Sequence, residues 1–295
     1  VPLDPLAAKA LYAGQGLHQF LEIYTIDCDP APRPFLEVAD RWQWEKVIDP
    51  LVPAMEAVAG FNSKPLRYDS YWYTLPKGSD KTSLQGRIAC WLICYARRRL
   101  EIYVVARDRF QAKSLRDAMF NERLLNPWLP QSYTINAYDA SGPTGTLDIL
   151  SKDAKSGHGK RPNAIICDEI TVWENKDLWD MVCGSAAKKK SCLIVIIGNA
   201  GYKNSWQHRL FQEYQNDQKC YIYEPRGIVA SWTDREKVER TRRKISPSEG
   251  RRLFDNEWVD AADDAVFPEN LVNDMFRIDT PTSLPWPTIE QETSD

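Results

Sequence analysis

The sequence predicts an α/β fold in which a mainly parallel sheet is flanked by helices and carries a small helical lid subdomain. Three features predict it. Short runs of β-branched and aromatic residues, at 69–75, 101–106, 163–169 and 192–199, are continuously apolar rather than alternating, as in strands covered on both faces. Stretches of helical periodicity, over 81–97, 109–120, about 176–189 and about 204–216, lie between or after them. A chain of 295 residues that is 43% hydrophobic can bury the core such a sheet needs, which excludes a disordered polymer.

Taken in order, residues 1–34 mix polar and apolar positions and end in a Pro-rich stretch, so they are expected to form a connector. Residues 131–151 predict two strands around a Gly/Pro turn, a local antiparallel insertion. The charged segment 234–260, broken at Pro247, predicts the helical lid rather than sheet. The last stretch, 269–295, is Pro-rich and acidic without periodicity, as a linker or tail would be.

Composition narrows the function classes. With 38 basic and 41 acidic residues the formal charge is -3, so any contact with nucleic acid must be local. The runs Arg97–Arg99, Lys188–Lys190 and Arg240–Lys244 are the places for it, although each also suits a solvated helix end. The seven cysteines lack paired CxxC spacing and mostly sit in apolar runs, which points to a reducing, cytoplasmic compartment. No apolar run approaches the ~18 residues that span a bilayer.

The first chemical motif follows the apolar run 69–75. Leu75-Pro76-Lys77-Gly78-Ser79-Asp80-Lys81-Thr82-Ser83 leads directly into a predicted helix, and strand, tight loop and helix are the context a phosphate-binding loop requires. The loop Pro76–Ser83 would face the phosphates through its backbone N–H groups from Lys77 onward, Lys81 would reach the β and γ oxygens, and Thr82 would hold Mg²⁺. Against GxxxxGK(S/T) the consensus glycines fall on Leu75 and Asp80. Asp80 is the sharper departure, because a carboxylate beside a polyphosphate repels it and a Cβ stands where backbone freedom is usual.

The second motif is the buried run 163–169, which ends in Asp168 and Glu169. Adjacent acids at a strand end can divide two tasks, Asp168 binding the metal shell and Glu169 orienting or deprotonating water. The third is Leu193–Ile197 followed by Gly198-Asn199-Ala200-Gly201, a flexible polar turn that could hold the Asn199 amide near a γ-phosphate.

Together these motifs resemble the large terminase subunit of tailed bacteriophages. Phe35-Leu36 with Arg41-Trp42-Gln43-Trp44 resembles the family's adenine-binding segment, 75–82 its P-loop, and 101–112 its second strand with a Gln-Ala helix start. Ser156-Gly157-His158-Gly159 resembles the turn before the acidic strand, Gly198–Gly201 the coupling motif, and 258–268 the closing stretch of the motor domain. The resemblance implies a P-loop NTPase of the RecA/ASCE type, with an ATPase core over 35–201 and, over 202–268, the C-terminal part of that core with the lid subdomain. It implies ATP and Mg²⁺ as ligands, the base near Trp42 and Gln43, and an arginine near the γ-phosphate, for which Arg107 and Arg109 are candidates alongside one from a neighbouring subunit.

It further implies double-stranded DNA, a portal protein and the small terminase subunit as partners, in an oligomeric ring at the procapsid portal in the host-cell cytoplasm. The family's nuclease domain is expected to be absent from this chain, so cleavage is not expected of it. Two alternatives stay open: a nucleotide-binding module with little or no hydrolysis because of Asp80, and a helicase-like DNA translocase fragment.

Overall fold

The computed structural model describes residues 4–151 and 161–260, without the side chains of Arg109, Phe110 and Ala112. Eight strands form one sheet: β3 (Ser70–Thr74), β4 (Leu100–Val105), β5 (Thr134–Ile135), β6 (Asp139–Gly142), β7 (Gly145–Leu150), β8 (Ala164–Asp168), β9 (Leu193–Gly198) and β10 (Cys220–Tyr223). Their spatial order is β10-β3-β9-β8-β4-β7-β6-β5. From β10 to β7 every neighbouring pair is parallel, and the pairs β7–β6 and β6–β5 are antiparallel, so β6 alone runs against the rest. The strand of the phosphate loop and the acidic strand are thus separated by β9 alone.

Side-chain alternation sends each strand's residues to two different cores. Tyr71 and Tyr73 of β3, Ile102 and Val104 of β4, and Val195 and Ile197 of β9 join one cluster, with α4 (Asp49–Ala59) and α5 (Lys81–Tyr95). Trp72, Tyr103, Ile165, Cys167, Ile194 and Ile196 join the other, with α7 (Asp177–Ala186) and α8 (Trp206–Gln215). Burial on both sides is why these strands read as unbroken apolar runs rather than as alternating ones.

Two expectations are revised. Residues 5–34, expected as a connector, form α1 (Pro5–Ala13), α2 (Leu17–Ile23) and the short pair β1 (Thr25–Ile26) and β2 (Arg33–Pro34). Leu17, Phe20, Leu21 and Tyr24 are fully buried against the first cluster, so the segment is part of the core. The antiparallel hairpin β6–β7 is present, but it is no separate insertion, because β7 pairs in parallel with β4 over Leu100–Val105 and extends the main sheet. After Gly201, β10 returns to the sheet edge beside β3 before α9 (Arg235–Arg242) and α10 (Pro247–Gly250) form. The short helix α3 (Phe35–Val38) and a π-helical turn over Gln43–Ile48 precede α4, and α6 (Arg109–Leu125) follows β4. Among the described residues, no helix is long and apolar enough to cross a membrane.

Candidate nucleotide site

Parallel strands deliver their C-terminal ends to one side of a sheet, and the loops that follow form a crevice there. The loops after β3, β8 and β9 carry the three motifs, so their side chains meet. Lys81 Nζ lies 2.9 Å from Glu169 Oε1 and donates to Asn199 Oδ1 at 3.2 Å. Thr82 Oγ1 donates to Asp168 Oδ1 at 3.2 Å. Asn199 is itself held, its Nδ2 donating to the Leu75 carbonyl and its backbone N–H to Glu169 Oε2. Lys81, Asp168 and Asn199 are buried, and Glu169 is partly exposed.

The backbone around this cluster is shaped by left-handed residues. Gly78, Asp80 and Glu169 have φ of 85°, 58° and 51°. Asp80 stands at the N-terminal boundary of α5, where glycine is the consensus residue, and aspartate is among the side chains that tolerate this region best. Glu169 turns at the end of β8, so the two acids leave the strand in different directions. Loop 75–80 is also tied down: Leu75 N–H donates to the Gly198 carbonyl, Lys77 N–H to the Leu253 carbonyl, and Ser79 Oγ to the Pro76 carbonyl.

The electrostatics single out Asp168. Burial, followed by the neighbouring Glu169, pushes its carboxyl up to about 7, although Lys81 and the Thr82 hydroxyl pull the other way. A divalent cation between Thr82 and Asp168 would supply the missing positive charge, and hydroxyl and carboxylate oxygens are the donors Mg²⁺ takes. The residues present therefore fit that ion.

Beside the loop lies a cavity of about 530 Å³ lined by, among others, Asp27, Phe35, Gln43, Ser83, Arg87 and Trp232. Gln43, fully buried at the start of the π-helical turn, accepts from Asp40 N–H through Oε1, while its Nε2 has no partner among the described residues. Irregular helical turns of this kind often mark functional positions. Trp42 does not line the cavity: it stacks on Tyr223 at 6.3 Å and donates to Asp40 Oδ2. Of the two residues expected near the base, Gln43 lines this cavity and Trp42 does not.

The repulsion expected from Asp80 is also revised. Its carboxylate pairs with the buried guanidinium of Arg87, at 2.5 Å from Nη1. Of the arginine candidates, Arg107 follows β4 on the correct sheet edge but pairs with its neighbour Asp108. The side chain of Arg109, like the segments 156–159 and 261–268 of the resemblance, lies outside the described residues.

Several residues without a motif shape the site. Asn256, fully buried, donates through Nδ2 to the carbonyls of Thr74 and Pro225 and accepts from Ala200 N–H. It thereby ties the ends of β3 and β9 to the C-terminal segment. Trp232 donates to the Gly78 carbonyl, and Ser231 N–H donates to Asp40 Oδ2, so one strap touches both the phosphate loop and the turn that carries Gln43. Asn256 lies in the charged, Pro-broken segment 234–260, whereas nothing local signals Ser231 or Trp232 in sequence. Their partners are far away along the chain.

No family model and no curated protein matches the sequence. Solved structures do. The HK97 bacteriophage large terminase matches with a TM-score of 0.66 and 17% identity, over 83% of this chain and 55% of its own. The fold is that of the phage large-terminase ATPase domain. The large-terminase ATPase domain of Thermus phage P74-26 matches at 0.55 and 14% identity, over 68% of this chain and 96% of its own. The large terminase of a thermophilic bacteriophage, solved in complex with ADP, matches at 0.52 and 10% identity, over 70% of this chain and 53% of its own. The chain thus spans about half the length of the HK97 terminase and of the ADP-bound one, and nearly all of the P74-26 ATPase domain.

Proposed function

We propose that this chain is the ATP-hydrolysing motor domain of a large terminase, which drives double-stranded viral DNA into a procapsid. The observation that carries this is the meeting of Lys81, Thr82, Asp168, Glu169 and Asn199 at the ends of β3, β9 and β8. A buried ammonium, a hydroxyl–carboxylate pair and a second carboxylate within reach of that ammonium form the set that phosphoryl transfer to water needs.

In this proposal the backbone of Pro76–Ser83 cradles the triphosphate of ATP, and the Lys81 ammonium leaves Glu169 to neutralise β- and γ-phosphate charge. Thr82 and Asp168 would hold Mg²⁺, which would supply positive charge against the charge of the triphosphate. Glu169, released from Lys81, orients the attacking water and accepts its proton. Gln43 offers its free N–H to an acceptor edge of adenine. Asn199, hydrogen-bonded to Lys81 and to the end of β3, registers loss of the γ-phosphate and passes it to the segment after Gly201. Arg107, Arg109 or an arginine from a neighbouring subunit supplies the remaining positive charge.

The thermophilic-phage terminase solved with ADP lends support to the nucleotide, and the terminase fold to the packaging role. By the same likeness the partners are double-stranded DNA, a portal protein and the small terminase subunit, in a ring at the procapsid portal in the host cytoplasm. The test is steady-state phosphate release from ATP and Mg²⁺ by the unaltered chain and by Glu169→Ala. Release that is lost in the variant supports a motor. ATP affinity without release from the unaltered chain would leave a binding module instead, although the pairing of Asp80 with Arg87 removes the charge argument for it.

A further inference from the structure

Arg87 is the seventh residue of α5, at a position that no phosphate-binding motif specifies. Its side chain is almost wholly buried, yet it faces two carboxylates. Nη1 and Nη2 donate to Asp80 at 2.5 and 3.3 Å. Nε and Nη2 donate to Glu122 of α6 at 3.0 and 2.6 Å. The guanidinium also lies over the ring of Phe35, 5.2 Å from its centroid, and all four residues line the cavity beside the loop. Burial opposes its charge, but the two carboxylates outweigh that and keep its pKa above the ordinary arginine value.

A planar fork that binds two carboxylates at once fixes both in direction, which a lysine cannot do. Asp80 has little other reason to stay where it is. It occupies a left-handed conformation, makes no cap to the helix it precedes, and immediately precedes Lys81. Glu122 in turn anchors the arginine from a different helix, so the direction of the Asp80 carboxylate is set by the packing of α5 on α6.

We propose that Arg87 is a positioning residue for the phosphate loop: it neutralises the Asp80 carboxylate and turns it toward Glu122, which makes an acidic loop compatible with a polyphosphate. The inference rests on the nucleotide reading above and adds a requirement that reading does not contain. An unpaired Asp80 opposes the β- and γ-phosphates but has little effect on a nucleoside monophosphate. Loss of Arg87 therefore harms triphosphate binding selectively, and removal of the Asp80 charge rescues it.

The experiment is a double-mutant cycle in a Glu122→Gln background, which avoids leaving a buried carboxylate unpaired. Affinities for ATP-γ-S with Mg²⁺ and for AMP are measured for E122Q, E122Q/R87M, E122Q/D80N and the triple variant. R87M is expected to weaken ATP-γ-S binding about tenfold or more, AMP binding less than about twofold, and D80N to restore most of the ATP-γ-S loss. Equal losses for both ligands, or no rescue by D80N, overturn the inference. If R87M fails to fold by circular dichroism, Arg87→Lys takes its place, with an expected ATP-γ-S loss of about threefold that D80N again cancels. An unaltered chain that binds no ATP-γ-S overturns the nucleotide reading and this inference with it, whereas binding without the coupling overturns this inference alone.

Discussion

Replacing Glu169 by Gln separates two properties of its carboxylate. In the structure Glu169 Oε1 lies 2.9 Å from Lys81 Nζ, where the lysine is buried and the glutamate only partly exposed. At that separation and an effective dielectric of about 20, the gross attraction is about 5 to 6 kcal/mol. Desolvation offsets most of it and leaves ~1–2 kcal/mol net. A triphosphate that recruits the Lys81 ammonium must displace this carboxylate first. Glu169→Gln therefore binds ATP-γ-S about tenfold more tightly, which corresponds to about 1.4 kcal/mol. The same change removes the base that handles the attacking water, so turnover falls by roughly 10²–10⁴. Titration calorimetry with ATP-γ-S and phosphate release with ATP, on one preparation, read both quantities. Tighter binding with slower turnover is the expected pair of results. Weaker binding by the variant, or turnover within about threefold of the unaltered chain, refutes the competition between Glu169 and the nucleotide for Lys81.

Other expectations rest on single features of the site and sheet. The Asp168 carboxyl is raised from 3.8 to about 7, mainly by burial, so its contribution to stability is fully present below the unfolded value and is lost as pH rises from about 4 to about 7. Asp168→Asn should therefore raise the melting temperature relative to the unaltered chain more at about pH 8 than at about pH 4.5, without divalent cation, and a pH-independent difference counts against it. Gln43→Leu should weaken ATP-γ-S binding about five- to tenfold, the loss of one hydrogen bond, while sparing inorganic tripolyphosphate; equal losses for both would remove Gln43 from base recognition. Gly142→Ala places a Cβ 2.4 Å from the Ile93 carbonyl oxygen, a rigid backbone atom, and should cost about 2–3 kcal/mol in denaturant unfolding, so an unchanged midpoint would contradict the close packing of β6 on α5.

The legible parts of the molecule are those whose cause is local. A strand buried on both faces must be apolar throughout, which is why 71–75, 101–105, 164–168 and 193–197 stand out without any structure. A phosphate loop must join a strand directly to a helix, which makes 75–83 readable even with Asp80 in it. By contrast, residues 5–23 mix polar and apolar positions, and burial of Leu17, Phe20 and Leu21 depends on the α4 and α5 surfaces that receive them. The turn from Trp42 to Gln43 was readable as a pair. Which of the two faces the cavity depends on the π-helical turn, which sends Trp42 to Tyr223.

The strand–loop–helix units and the chemical identity of the five groups at their ends follow from the residues alone, because backbone propensity and hydrophobic burial act over a few residues. The packed fold is what brings an ammonium at position 81 against a carboxylate at 169, and what answers the acid at 80 with a guanidinium at 87 anchored by a glutamate at 122. Electrostatic pairing depends on distance in space, and that distance is set by the order of strands in the sheet and the packing of helices upon it.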